Sequence, residues 1–94
     1  MSKAIEDIAA ERARQVSQEG WTPEHDDKHG NGQMAEAAAC YILGDDNSLF
    51  DFPCIWPWHK SWWKPTNRRR NLVKAGALIA AEIERLDRLT ANQS

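Results

Sequence analysis

Three prolines, Pro53, Pro57 and Pro65, constrain this chain more than any other feature. Each lacks an amide donor and restricts the residue before it, so no continuous helix crosses residues 53–65. Residues 45–65 are therefore expected to be irregular, and regular structure must lie on either side. Both flanks read as helical. Ser2 can cap a helix over residues 2–18, along which Ile5, Ile8, Ala9, Ala13 and Val16 recur at three- and four-residue spacing. Gly20 ends it, and residues 21–32 read as a polar loop punctuated by Pro23, Gly30 and Gly32. A short Ala-rich helix follows over residues 33–43, with Gly44 at its C-terminal side. Thr66 or Asn67 then caps a long helix over residues 67–89, whose seam reads as Leu72, Gly76, Ile79, Ile83 and Leu86. The expected fold is one all-α domain over residues 1–94, with three helices and a long Trp/Pro-rich loop between the second and third.

Charge is sparse where burial would be needed. Glu36 is the one charged residue from Met34 to Gly44, and no charged residue falls from Ala75 to Ala81. Helices apolar around most of their girth want neighbours on more than one side, and their small residues admit a close backbone. Three helices and a loop offer few such neighbours, so a homo-oligomer is expected. The longest apolar stretches are far too short to span a bilayer, and no membrane association is expected. Cys40 and Cys54 sit in apolar settings and form no CxxC, which suits reduced thiols and a cytoplasmic location.

Net charge is −2, yet residues 1–52 carry eleven acids against four bases, while residues 53–94 carry eight bases against three acids. The halves can neutralise each other across the fold, or leave a local positive site that suits a compact anion. Duplex nucleic acid is disfavoured and not expected as a partner, because its basic stripe would be confined to one short segment.

That segment adjoins an unusual aromatic density. Trp56, Trp58, Trp62 and Trp63 fall within eight residues, interleaved with His59, Lys60 and Lys64. They could form a satellite core that pins the loop. They could also supply aromatic faces and cations for a nucleobase or another flat anionic ligand. Arg68, Arg69 and Arg70 open the last helix, where the helix dipole disfavours them unless an anion compensates. A phosphate would compensate, meeting free amides and guanidinium forks. So would carboxylates of the acidic half, such as Asp45, Asp46 or Asp51.

A further cluster, Glu24-His25-Asp26-Asp27-Lys28-His29, places two histidines four apart with carboxylates between them. His25, Asp26 and His29 could ligate zinc given a suitable turn. Read as loop, that spacing guarantees nothing, and buried hydrogen bonds from Asp26 or Asp27 are expected instead. No metal or cofactor is expected. Ser48, Ser61 and Cys54 lack the spacing of a nucleophile with its base, so no catalytic residue is assigned.

Two segments carry a resemblance. Glu11-Arg12-Ala13-Arg14-Gln15, Glu19-Gly20-Trp21 and His25-Asp26-Asp27, then Gly32-Gln33-Met34-Ala35, the Trp-Pro-Trp and Trp-Lys-Pro loop and the closing helix through Arg88, resemble small phage and prophage proteins without a settled activity. More distantly, the order of elements is similar to MazG-like all-α nucleoside triphosphate pyrophosphohydrolases. That resemblance would imply magnesium held by Glu36, Glu84 and Asp87, but the first acidic motif of the family, Glu-Glu-x-x-Glu, is missing here. The resulting expectation is a phage-type oligomeric binder of a small anionic nucleotide, sequestering a cyclic or ADP-ribose-derived immune signal. Trp56, Trp58, Trp62 and Trp63 would stack, and His59, Lys60, Lys64, Arg68, Arg69 and Arg70 would surround the phosphates. The alternatives are a divergent pyrophosphohydrolase, or a module that docks its Trp loop on a host protein.

Overall fold

The computed structural model describes residues 2–30, 32–43 and 56–93, and no strand occurs among them. Helix α1 spans Lys3–Gln18, α2 Pro23–Asp27, α3 Gln33–Leu43 and α4 Arg68–Gln93, with a 3-10 turn at Lys60–Trp62. The long α4 is the spine, and α1, α2 and α3 each pack against it. The all-helical expectation holds. Gly44, Ser48, Asp45, Asp46, Asp51, Cys54 and the first half of the Trp/Pro-rich stretch lie outside the described residues.

Local signals set the helix ends. The Ser2 hydroxyl accepts from the Ile5 amide at 3.2 Å, and Gly20, at φ 75°, ends α1. The Trp21 amide then donates back to the Gln15 carbonyl at 2.9 Å, turning the indole toward the rest of the fold. At the head of α4 it is Asn67 that caps, its side chain accepting from the Arg70 amide at 2.8 Å. That helix runs to Gln93, beyond the expected end near residue 89, since nothing in Thr90-Ala91-Asn92-Gln93 breaks it.

The polar-loop reading of residues 21–32 needs correction. Pro23–Asp27 is helical, with the Thr22 hydroxyl accepting from the His25 amide at 3.3 Å, Pro23 in the first turn and Glu24 beside the amide end. A five-residue helix has little stability of its own. Ion pairs hold it: Asp26, 1% exposed, accepts from Arg12 of α1 at 2.7 Å, and Asp27 pairs with Arg88 of α4 at 2.7 Å.

The expected seam of α4 is also corrected. Leu72, Ile79, Ile83 and Leu86 are 41–53% exposed, while Asn71, Val73, Ala75, Ala77, Leu78 and Ala81 are buried. At 100° per residue, the exposed stripe lies on the side of α4 roughly opposite Leu78 and Ala81. Small residues face inward because α3, bringing Ala37, Ala38 and Tyr41, packs directly against them. Gly76 of the expected seam does pack closely, against the side chain of Ile8, which a Cβ there would meet at 2.8 Å.

The charge asymmetry resolves largely as cross-helix pairing. Arg69 meets Asp7 at 2.9 Å, and Arg70 meets buried Glu11, which Arg14 also clasps with two hydrogen bonds of 2.9 Å. Burial alone would push the Glu11 carboxyl up. The hydrogen bonds from Arg14 and the charge of Arg70 outweigh it and hold that carboxyl below its ordinary 4.5. Among the described residues no helix is long and apolar enough to cross a membrane.

Candidate functional site

The aromatic residues form one connected run of ring contacts. Trp63 lies 4.8 Å from Tyr41 and 5.0 Å from Trp56 between ring centroids, and Trp56 lies 5.5 Å from Trp58. From Trp58 the run reaches Trp21 at 5.6 Å and His29 at 5.5 Å. Trp21, Trp56, Trp58 and Trp63 all rest on the core of α3 and α4. The loop is latched as well as packed. The Lys64 amide donates to the Tyr41 hydroxyl at 3.3 Å, and Lys74 Nζ donates to the Lys64 carbonyl at 2.7 Å. The satellite-core role is thus real for Trp56 and Trp63.

Where this run turns away from the core, it opens into a cleft of about 410 Å³. Trp21, Trp58 and Trp62 line its apolar surface, and Glu19, His25, His29 and His59 provide its polar groups. Trp62 is 45% exposed, with Lys64 Nζ 5.7 Å from its ring centroid. His59 Nδ1 accepts from the Ser61 amide at 3.1 Å, so the neutral ring carries its proton on Nε2 and offers a donor. Trp56 Nε1 donates to the His59 carbonyl at 3.2 Å and holds that residue's backbone.

On the opposite wall, His25 stacks parallel to Trp21 at 6.1 Å and meets His29 with its Nε2 3.3 Å from the other Nε2. His25 Nδ1 faces Asp26 Oδ1 at 3.4 Å. Burial lowers the proton affinity of His29 below the ordinary 6.5, and the neighbouring His25 adds to the effect. A volume of this size with aromatic walls and few polar groups has the make-up of a small-ligand pocket.

The sequence-derived residues separate into groups. Trp58, His59 and Trp62 meet in the cleft, and Lys64 stands beside it. Trp56 and Trp63 sit behind, half-buried against the core. Arg68 donates to the Ile42 carbonyl, while Arg69 and Arg70 face α1, so the three arginines are engaged away from the cleft. Lys60 contributes its backbone to the 3-10 turn. Glu84 pairs with Arg12 at 3.3 Å, and Glu36 and Asp87 belong to different helices. Among the described residues, no three His, Cys, Asp or Glu side chains converge on one metal position. Cys40 is a buried free thiol pushed up to about 11 by burial, with a smaller contribution from Glu36, which makes it unreactive.

Sequence reasoning overlooked Glu19 and Trp21 as lining residues. The available signal was Gly20, whose positive φ folds the chain back and delivers its two neighbours to one place. Comparison with known proteins found no matching family model, no similar curated protein and no similar solved structure.

Proposed function

We propose that the protein binds a small, flat heteroaromatic ligand of nucleotide type in the Trp21–Trp58–Trp62 cleft. The observation that carries this reading is the gathering of three indoles and three imidazoles around about 410 Å³, a cleft that Arg68, Arg69 and Arg70 do not line. Indole faces stack on any base, and the His59 Nε2–H and Lys64 ammonium supply donors at the rim. This places recognition on stacking and imidazole contacts rather than on a guanidinium clamp. Sequestration of a cyclic or ADP-ribose-derived signal is the biological role such a binder without catalytic acids would serve.

Titration calorimetry with cyclic dinucleotides, cyclic trinucleotides and cyclic ADP-ribose isomers tests the reading. Exposed Trp62 is the informative position: Trp62→Ala should cost roughly 1–3 kcal/mol of binding with little change in melting temperature. A parent protein that binds nothing in this panel sinks the nucleotide reading.

We further infer that the protein self-associates through the outer stripe of α4. Leu72, Ile79, Ile83 and Leu86 step by seven, four and three residues, the recurrence of a coiled-coil seam, and the partner such a seam fits is a like helix. Light scattering at micromolar concentration should give at least twice the chain mass. Ile83→Glu, which adds no buried charge within one chain, should shift it to the monomer. A monomeric parent would end the proposal.

A further inference from the structure

We propose that His25 and His29 form a two-imidazole site for a zinc-class divalent ion, coordinated through both Nε2 atoms at the wall of the cleft. The proposal is independent of any nucleotide. In tetrahedral zinc, nitrogens bind at about 2.0–2.1 Å, which sets two of them about 3.3–3.4 Å apart. The two Nε2 atoms are already 3.3 Å apart, in a hydrogen bond whose single shared proton a metal ion would replace.

The surroundings prepare the pair in two ways. First, His25 is turned by the Asp26 carboxylate. A donor at Nδ1 suits that oxygen at 3.4 Å and leaves Nε2 as a bare lone pair, the arrangement of metal-binding histidines backed by a carboxylate. Asp26 is itself fixed by Arg12 at 2.7 Å, so the orienting group is rigid. Second, the ring of His25 lies parallel to that of Trp21 at 6.1 Å, and the ring of His29 lies edge-on to Trp58 at 5.5 Å.

With two protein ligands, the remaining coordination positions open into the cleft, toward water or an anionic ligand. Imidazole selects zinc, copper, nickel or cobalt over magnesium. The acids of α4 lie elsewhere, and the site owes nothing to them.

The test uses the full chain, treated with chelator and titrated with zinc chloride, and with cobalt chloride for its visible absorption. A single saturable zinc ion per chain is expected, not displaced by excess magnesium. His25→Ala and His29→Ala should each weaken it by at least about tenfold, and circular dichroism checks that both stay helical. Because a variant that unfolds would be uninformative, nitrogen-15 NMR of the parent provides the decisive reading. Zinc should shift the Nε2 resonances of both His25 and His29, with the proton of each neutral ring then on Nδ1. Absence of saturable binding, or shifts on one ring alone, or binding equal in both folded variants, overturns the site.

Discussion

Arg12→Met should unfold this protein at a much lower temperature than the parent, with a loss of roughly 3–5 kcal/mol. The reason is Asp26. Its carboxylate is 1% exposed, and Arg12, itself with a side chain only 12% exposed, is the cation that compensates it. Without the guanidinium, a buried charge is left unpaired, and the hydrogen bond from Arg12 Nη1 to the Trp21 carbonyl goes with it. For a chain of this size the expected drop in melting temperature is on the order of 20 °C. The double variant Arg12→Met with Asp26→Leu should recover most of the loss, because an apolar pair of similar volume removes the unpaired charge as well. Glu84, whose side chain is 54% exposed, is the control: Glu84→Gln should cost at most about 1 kcal/mol. If Arg12→Met melts with the parent, the buried pair is not what holds α2 in place.

The tryptophans should divide sharply in a melting experiment. Trp56→Ala and Trp63→Ala should each lower stability by about 3 kcal/mol or more, since both indoles rest on the α3–α4 core and contact Tyr41. Trp62→Ala should be nearly silent in stability, because that ring is 45% exposed. Equal destabilisation by all three would mean that the loop is a uniform core with no ring kept for a ligand. Equal silence would mean that the loop does not depend on its aromatic packing at all.

Much of the helical layout was legible in the residues. Ser2, Gly20, Gly32 and Asn67 act as the end signals they resemble, because capping is a local event between a side chain or a positive φ and a nearby amide. The missed helix α2 shows where local reading fails. Thr22-Pro23-Glu24 is a sound start signal, but five residues cannot hold a helix without the Arg12–Asp26 and Arg88–Asp27 pairs. Those partners are remote in sequence, so their contribution was invisible. The consequence reached the site, since the helical turn is what brings the two histidine rings together.

The arginine run at the head of α4 was read as calling for an anion, and it has one. The anions are Asp7 and Glu11 of α1, which no spacing rule connects to Arg69 and Arg70. Similarly, the apolar residues of α4 were identifiable, but not which of its two apolar sides faces inward. Leu72, Ile79, Ile83 and Leu86 are the larger residues and made the more obvious seam. The close approach of α3 nevertheless favours the side with Ala75, Ala77 and Ala81.

By itself, then, the sequence determined an all-helical fold for the described residues, broken across Pro57 and Pro65, with tryptophans concentrated in one loop and charge divided between its halves. These follow from proline chemistry, side-chain periodicity and composition, all of which act within a few residues of the chain. The tertiary structure alone decided which tryptophans are core and which line a cleft, which carboxylates neutralise the arginines, and that His25 and His29 face each other beside Trp21 and Trp58. Each of those outcomes depends on two segments distant in sequence meeting in space, and burial and Coulomb attraction are settled only once that meeting has occurred.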